Sequence, residues 1–414
     1  MGAIEARRIG YLGRTAVALT NGEVRAVVDA EGGMMPEFGL LRGRGILNAH
    51  WLPDFRGDLG APWSDERCSA YWKARLLFLI AGDFPCSPSF GAGCTVDGVA
   101  LPPHGWTANE TWALEGAGVD AEAGAAWARF GLASPTEAMP IAYRKHDLVL
   151  GGQAAYYTVM RVRNEGRDPV AIQLGRHNTL GAPFLQAGCT ISVCADRFQT
   201  PPAPTEFDGT GCLAQGVEFD SLAAAPLRAG GTADLRTVPG PVGWTDFVAG
   251  AVPSGARLGW SCVVNPVLGL AYVCFFPGPV GLPEGEIALG FNLLWMQYGG
   301  RDFAPWAHHD GGPDRTFCLG TENAVSGFAN GLAWGRAHPR VLGVPTTVDV
   351  PAGGERTLFY GVALVRLEPA LLREGVRAVE AEPGAMVLRG ERAAQRVPMA
   401  ADFEAVRRVV GRLG

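Results

Sequence analysis

The chain has 414 residues, of which 48% are hydrophobic and 18% are charged, and this composition excludes intrinsic disorder over most of its length. Its net charge of −6, with basic residues scattered along the chain, excludes the positively charged surface that a nucleic-acid backbone requires. A membrane partner is excluded as well, because no stretch of about 18 apolar residues occurs that could span a bilayer.

Short β-branched and alternating runs, separated by glycine and proline clusters, are typical of an all-β protein. The first runs are Thr15 to Leu19 and Val24 to Asp29. Between them lies Asn21-Gly22, a pair that tolerates the positive φ angles of a type I′ turn. The sequence therefore predicts an N-terminal β-hairpin with such a turn.

Further strands are predicted along the chain by the same pattern. The run from Tyr156 to Asn164 alternates as a half-buried strand does. Similar runs are Val170 to Leu174, Leu258 to Val264, Gly269 to Phe276 and Leu358 to Leu364. Because no repeat of fixed period is evident, a propeller or solenoid is disfavoured. We expect a large, mostly antiparallel β-sandwich over residues 1–367.

Helical periodicity occurs near the end of the chain. Apolar residues recur at three- and four-residue spacing from Phe403 to Leu413, which predicts one amphipathic helix. A second short helix is predicted over Pro369 to Val379, since proline suits a first helical turn. Residues 368–414 are therefore expected to form a tail with one or two helices packed on the sandwich.

The nine cysteines never form a C-x₂-C pair, which disfavours a zinc site. Several lie in apolar runs, such as Cys262 and Cys274, and are predicted to be small buried thiols. An odd number of cysteines, without a signal peptide, favours a reducing compartment. We expect a cytoplasmic protein.

Only seven histidines occur, so each can be weighed individually. His104 lies in LPPHGWTANETW, where Trp106 and Trp112 supply the flat apolar faces on which sugars stack. The alternative is a loop histidine bonded to a backbone carbonyl, with both tryptophans in the core.

His177 and Glu322 are the other two candidates for a polar site. His177 follows a strand-like run and is flanked by Arg176 and Asn178. These three polar side chains exceed what packing needs, although a solvated hairpin would also explain them. Glu322 lies in FCLGTENAVSG, and a carboxylate in such an apolar site can have its pKa raised towards that of a base useful near pH 7. Its alternative is an ordinary surface glutamate.

The segment FNLLWMQYGGRDFAPWAHHDGGPD combines aromatic and polar residues. On a strand, Trp295 and Gln297 would share one face, either in a site or in the core. The triplet His308-His309-Asp310 suggests a metal, but adjacent strand residues point to opposite faces and no third ligand is indicated. We therefore predict no metal and no cofactor. Arg75 and Asp83 complete the set of charged candidates. Arg75 could hold a substrate carboxylate or phosphate, or it could belong to a structural ion pair.

Taken in order, these segments resemble the aldose 1-epimerase (galactose mutarotase-like) superfamily over roughly residues 10 to 365. The N-terminal hairpin and EGGMMPEFGL are similar to its opening strands and glycine turn. LPPHGW is similar to its early His-Gly motif, GRHNTLGAPF to its central histidine segment and TFCLGTENA to its late glutamate motif. The resemblance implies a mutarotase-like supersandwich that binds a small carbohydrate.

The resemblance also implies roles for individual residues. Glu322 would be the base that acts on the anomeric hydroxyl, His177 the acid that protonates the ring oxygen, and His104 a residue that binds the sugar. Trp295 with Gln297 and the Pro305-Trp306 pair suggest a less characterised branch of the superfamily, and two motifs depart from the family pattern. The arginine expected after the early motif is absent, with Asn109 the nearest polar residue, and the central motif reads HNTLG.

The predicted function is cofactor-independent interconversion of sugar anomers. The predicted substrate-binding residues, besides the catalytic pair, are His104, Arg75, Asn109, Arg176, Asn178, Trp295 and Gln297. One alternative is a non-catalytic sugar-binding or sensing protein, because a fold does not fix a function. Another is a glycoside lyase or hydrolase, and a hydrolase would need a second acid about 5–10 Å from Glu322, such as Asp246 or Asp302.

Overall fold

The fold was established from a computed structural model, which describes residues 3–43, 45–53, 64, 74–206, 208–301, 303–306 and 317–414. The described part is mostly β-structure. Its helices are short and are α1 (Arg75–Leu79), α2 (Gly105–Asn109), α3 (Gly331–Ala337), α4 (Pro369–Glu374) and α5 (Glu404–Leu413), with one 3₁₀ turn at Leu222–Ala224.

The strands of the first half are β1 (Glu5–Tyr11), β2 (Arg14–Thr20), β3 (Val24–Asp29), β4 (Glu37–Arg42), β5 (Gly45–Asn48), β6 (Asp83–Cys86), β7 (Cys94–Val96), β8 (Val99–Leu101), β9 (Ala113–Asp120), β10 (Ala125–Ala133), β11 (Ile141–Leu150), β12 (Ala155–Asn164), β13 (Val170–Ile172), β14 (Leu174–Leu180), β15 (Thr190–Val193) and β16 (Arg197–Gln199). Those of the second half are β17 (Glu218–Phe219), β18 (Ala225–Pro226), β19 (Thr232–Ala233), β20 (Trp244–Ala251), β21 (Leu258–Asn265), β22 (Leu270–Pro277), β23 (Phe291–Tyr298), β24 (Phe317–Val325), β25 (Arg340–Val341), β26 (Val344–Pro345), β27 (Val348–Val350), β28 (Glu355–Arg366), β29 (Ala378–Glu382), β30 (Ala385–Arg389) and β31 (Ala394–Pro398).

Two large antiparallel sheets form the sandwich. The first has eight strands in the order β15-β21-β22-β28-β12-β11-β10-β9, and the second has seven in the order β17-β16-β20-β23-β24-β14-β6. Their inward faces share one core cluster with the five-stranded N-terminal meander β1 to β5, which packs over the β9 to β11 end of the eight-stranded sheet. The predicted mostly antiparallel β-sandwich is confirmed.

The eight-stranded sheet is buried on both faces. On β12, Tyr156 and Met160 belong to the core between the sheets, whereas Tyr157 and Val159 belong to a second core on the outer face. The residues after Leu367 cover that outer face, with Val406 and Val410 of α5 in the second core. This segment contains two helices and also the three-stranded sheet β29-β30-β31, which the sequence did not predict.

The N-terminal hairpin forms, but its turn differs from the predicted type I′. Gly22 has a φ of 85°, whereas Asn21 does not adopt positive φ. The Asn21 side chain accepts hydrogen bonds from the backbone N–H of Glu23 and Val24, and it donates to the carbonyl oxygens of Leu150 and Gln153. Asn21 therefore ties the turn to the neighbouring sheet, which the sequence pattern of the hairpin alone could not reveal.

In the described part of the chain, no helix is long and apolar enough to cross a membrane. The cysteines described there, which exclude Cys68, are free thiols, and Cys86, Cys189, Cys262, Cys274 and Cys318 are buried.

Candidate functional site

The outward face of the seven-stranded sheet forms the floor of a cleft, and we call it the cleft face. Alternate residues of a strand point to the same side of a sheet. Consequently Phe247 of β20, Trp295 of β23, Glu322 of β24 and His177 of β14 lie side by side on four neighbouring strands. The cleft has a volume of about 700 Å³.

Strand register brings the predicted acid and base together. Arg176 pairs with Asn323 and Thr179 pairs with Gly320, so the same register places His177 beside Glu322. The Nε2 atom of His177 lies 3.0 Å from Oε1 of Glu322. Gly320 leaves room for this contact, since a Cβ atom there would lie 2.7 Å from Oε1 of Glu322.

Burial sets the protonation of this pair. Only 2% of the Glu322 side chain is exposed, and desolvation raises its pKa well above the ordinary value, with the Glu206 charge adding to the effect. Desolvation also lowers the pKa of His177 well below the ordinary value. Both shifts favour the neutral forms of the two groups, a protonated Glu322 carboxyl and a neutral His177 ring. Oε2 of Glu322 is buried without a hydrogen-bond partner, and the described residues leave it available to a ligand.

His104 enters the cleft from the loop that precedes α2, with a backbone φ of 59°. Its Nδ1 accepts a hydrogen bond from the N–H of Gly91 at 3.3 Å and lies 3.3 Å from the thiol sulfur of Cys86. Burial, with a smaller contribution from the Arg301 charge, lowers the pKa of His104 to about 3. The ring is therefore neutral with its proton on Nε2. Its centroid lies 5.0 Å from that of His177.

Aromatic and aliphatic side chains form the walls of the cleft. Arg301 and Glu206 lie within these walls and form an ion pair of 2.8 Å. The apolar lining consists mainly of Leu76, Leu77, Ile80, Phe247, Trp295, Phe303, Trp306 and Trp334. Flat apolar walls with a few polar groups are the usual composition of a small-molecule site.

Arg176 and Asn178, which were predicted to bind substrate, do not line the cleft. They flank His177 on β14, and the period-2 alternation of a strand turns them to the opposite side. Arg176 forms a buried ion pair with Asp83, and Asn178 donates a hydrogen bond to the hydroxyl of Tyr360 in the opposite sheet. The structure therefore places both side chains away from the cleft.

Three further residues that were predicted to bind substrate form their hydrogen bonds or ion pairs outside the cleft. Arg75 lies 3.7 Å from Glu110, and Asn109 donates to the carbonyl oxygens of Pro103 and Gly105, which shapes the His104 loop. Gln297 shares a face with Trp295, as expected, but it is fully buried and accepts a hydrogen bond from Thr245. Of the predicted binding residues, His104 and Trp295 line the cleft.

Asp246, one of the two acids considered for a hydrolase, does not line the cleft. Asp246 accepts hydrogen bonds from the N–H groups of Cys212 and Leu213, away from the cleft. Asp302 and the triplet His308-His309-Asp310 lie outside the described residues. Within the described ranges, no cluster of three or more histidine, cysteine or acidic side chains is arranged to hold a metal ion.

Sequence reasoning missed two charged residues of the cleft. Arg301 lies in the aromatic-rich segment that the sequence singled out, close to Trp295, and this proximity was the available signal. Glu206 lies in a proline-rich loop, PPAPTE, whose position over the sheet no local pattern indicates.

Comparison with solved structures places this arrangement within a known fold. The chain aligns with a candidate aldose 1-epimerase from Klebsiella pneumoniae at a TM-score of 0.62 and 14% identity, covering 89% of this chain and 85% of that one. A galactose mutarotase-like protein from Clostridium acetobutylicum aligns at 0.54 and 11% identity, covering 88% and 99%. A candidate aldose 1-epimerase from Escherichia coli aligns at 0.53 and 15% identity, covering 86% and 100%.

No protein-family model and no curated protein matched the sequence. The structural comparisons nevertheless confirm the fold that the sequence motifs suggested, a galactose mutarotase-like β-sandwich, at low sequence identity.

Proposed function

We propose that the protein is a cofactor-independent, aldose 1-epimerase-like isomerase that interconverts sugar anomers. The observation that carries the proposal is the buried His177–Glu322 pair, joined at 3.0 Å on the floor of an aromatic cleft. Two groups that share one proton and lie within reach of one ligand suit a reaction that moves one proton off a substrate and another onto it.

Anomer interconversion requires the hemiacetal to open. Glu322 removes the proton from O1 while His177 supplies a proton to the ring oxygen O5, and the C1–O5 bond breaks as the C1–O1 double bond forms. Rotation about the C1–C2 bond and reversal of these transfers give the other anomer. Because the pair holds one proton at the start and at the end, no net proton uptake is needed.

The proton must first move from Glu322 to His177, since burial favours it on Glu322 in the unoccupied pair. The 3.0 Å contact provides that path. Sugar hydroxyls that approach the unpartnered Oε2 of Glu322 would stabilise the carboxylate, because hydrogen bonds to a charged form favour it. The Nε2–H of His104 would donate to the sugar oxygens, and Trp295 would stack on the C–H face of the ring.

The cleft supports an isomerase better than a glycoside hydrolase. A hydrolase needs two independent carboxyl groups about 5–10 Å apart. Among the described residues of the cleft, Glu206 is the second carboxylate, and it is paired with Arg301. Glu322 instead has a histidine as its direct partner, as the isomerase chemistry requires.

The test is one-dimensional exchange NMR of anomers across a panel of aldoses. We expect exchange to exceed the spontaneous rate for at least one sugar and to be lost in Glu322→Gln and in His177→Asn. Glu391→Gln, which alters an exposed ion pair with Arg377 in the C-terminal segment, is the matched control and should keep wild-type exchange. Spontaneous rates for every sugar, with binding that survives both substitutions, would instead indicate a non-catalytic sugar-binding protein.

A further inference from the structure

Arg301 is a fixed cation in an otherwise mostly apolar cleft. Its guanidinium carbon lies 5.1 Å from the ring centroid of Trp295, 5.6 Å from that of Phe303 and 5.5 Å from that of Trp306. Rings at such distances attract a cation and restrict its side chain. Only 11% of the Arg301 side chain is exposed, so the guanidinium is held in one place before any ligand binds.

The carboxylate that neutralises Arg301, unlike the guanidinium itself, is largely exposed to solvent. Glu206 contacts Arg301 at 2.8 Å, but 58% of its side chain is exposed. An ion pair with an exposed partner contributes about 0.2–1 kcal/mol, because water and salt compete for the charge. Glu206 is therefore an exchangeable partner for a cation that is itself fixed.

If Glu206 moves away from Arg301, this arginine needs another negatively charged partner. Among its described lining residues, Arg301 is the one lysine or arginine. A guanidinium left between aromatic rings without a counter-ion would be strongly unfavourable. Its planar fork of N–H donors matches a carboxylate or a phosphate, either of which can accept two hydrogen bonds.

Arg301 also lies one aromatic ring away from the candidate chemistry. The Trp295 ring has Arg301 on one side at 5.1 Å, and its centroid lies 5.8 Å from that of His177. A sugar that stacks on Trp295 with C1 at His177 and Glu322 can therefore direct a substituent at its other end towards Arg301.

We propose that Arg301 is an anion subsite and that the substrate is an aldose carrying a carboxylate or a phosphate at the end remote from C1. The anion replaces Glu206 as the partner of Arg301, and Glu206 acts as an internal competitor in the unoccupied cleft. This inference rests on the proposed function for the position of C1, but its binding component can be measured without turnover.

The experiment compares three classes of probe, namely neutral hexoses, hexuronates and hexose 6-phosphates, by calorimetric binding and by anomer-exchange NMR. We expect at least one anionic class to bind wild type at least about 10-fold more tightly than the neutral hexoses, and its affinity to fall as salt is raised. Whether the hexuronate or the hexose 6-phosphate is preferred identifies the anion.

Two variants should move the anionic-over-neutral ratio in opposite directions. Glu206→Gln removes the competitor and should raise that ratio about 2- to 5-fold, the range expected for an exposed pair. Arg301→Gln should lower it at least about 10-fold. Glu391→Gln alters an ion pair of similar exposure far from the cleft and should leave the ratio unchanged. Glu206 is exposed, so its variant tests the proposal even if Arg301→Gln unfolds.

The outcomes separate this inference from the proposed function. Equal affinity for all three classes, with a ratio that Glu206→Gln does not raise, overturns the anion subsite even if Glu322-dependent exchange is observed. Arg301-dependent binding of an anionic sugar without any exchange supports the subsite and overturns the isomerase.

Discussion

The two faces of β14 use buried polar residues in opposite ways. On the interior face, Arg176 pairs with Asp83. Asn178 donates a hydrogen bond of 2.6 Å to the hydroxyl of Tyr360, and that hydroxyl donates one of 2.6 Å to Asn323. The two bonds of Tyr360, which lies on β28, join the two sheets across the core. Hydrogen-bonded polar groups of this kind help to specify how the sheets pack, although Nη1 of Arg176 and Oδ1 of Asp83 have no hydrogen-bond partner among the described residues.

On the cleft face, one residue away along the strand, the polar groups are not fully satisfied. Glu322 is 1% exposed, yet its Oε2 has no hydrogen-bond partner among the described residues. Burial of an incompletely paired carboxyl group costs stability, and it shifts the pKa instead of strengthening the fold. Unpaired buried atoms occur on both faces, but Glu322 lines a cleft that a ligand can enter, whereas Arg176 and Asp83 do not.

The largest effect is expected for substitution of Glu322, which should reduce activity with little loss of stability. Under the proposed function, Glu322→Gln should lower the exchange rate about 10²- to 10⁴-fold, the usual contribution of a general base. The substitution should cost little stability near neutral pH, because a protonated carboxyl and an amide are similar in shape. Exchange NMR and chemical denaturation measure the two quantities.

The pH dependence of the same variant provides a control. The pKa of Glu322 is raised in the folded state, so between the unfolded and folded values the folded protein binds more protons. Wild-type stability therefore falls as pH rises through that window, and Glu322→Gln should remove this loss. A variant that follows the wild-type pH curve would contradict the raised pKa.

The interior face should respond in the reverse manner. Asp83→Asn leaves the Arg176 guanidinium buried without its counter-ion, and the free energy of unfolding should fall by about 3–5 kcal/mol. Asp97→Asn is the matched control, because Asp97 pairs with Arg336 at 2.6 Å while 74% of its side chain is exposed. That change should cost less than about 1 kcal/mol. Equal losses in the two variants would remove the distinction between buried and exposed pairs.

The sequence was sufficient for the fold because the strands are local patterns. The runs at Tyr156 to Asn164 and Leu258 to Val264 correspond to β12 and β21 almost residue for residue. It was not sufficient for the three-stranded sheet after Leu367, where an Ala-, Arg- and Glu-rich composition obscures the alternation. Val379, Met386 and Leu388 of that sheet are buried against the outer face of the sandwich.

The site was predictable where a motif coincided with strand geometry. His177, Glu322 and His104 converge on the cleft, but Arg176 and Asn178 were included only because they are adjacent to His177 in sequence. On a strand that adjacency places them on the opposite face. The Arg301–Glu206 pair joins residues about 95 positions apart, and no local pattern encodes such a contact.

Two buried histidines predict a loss of stability in mild acid. Burial lowers the pKa of His50 to about 4 and that of His104 to about 3. Between pH 6.5 and 4 the unfolded chain therefore binds more protons, so stability falls as pH falls through this window, by about 1.4 kcal/mol per pH unit for each histidine. Denaturation curves at pH 7, 6 and 5 measure the slope.

Substitution of His50 measures how much this one buried histidine contributes to the pH dependence of stability. His50 is fully buried and lies 2.7 Å from the carbonyl oxygen of Met35 and 2.8 Å from the hydroxyl of Tyr272. His50→Gln should flatten the slope, whereas the same change at exposed His338 should leave it unaltered. A slope that is identical in all three proteins would show that His50 does not resist protonation.

The smallest expected effect concerns how the cleft holds His104. Cys86 lies 3.3 Å from Nδ1 of His104, and Gly91 donates its N–H to the same atom, so both contacts favour the tautomer with the proton on Nε2. Cys86→Ala removes one contact and leaves the other, and we expect a 2- to 10-fold increase in KM, in line with the loss of one hydrogen bond of about 0.5–1.5 kcal/mol.

Cys86→Ser separates that effect from packing, because serine restores a donor while the volume stays below that of cysteine. Recovery of KM in Cys86→Ser, with Cys262→Ala as a matched buried thiol in the outer-face core that leaves KM unchanged, would identify Cys86 as a positioning residue. Equal losses in the serine and alanine variants would instead mean that the thiol only fills space. In that case the backbone N–H of Gly91 alone would orient His104. Asn178 on the interior face is held differently, by a hydrogen bond to the side chain of Tyr360.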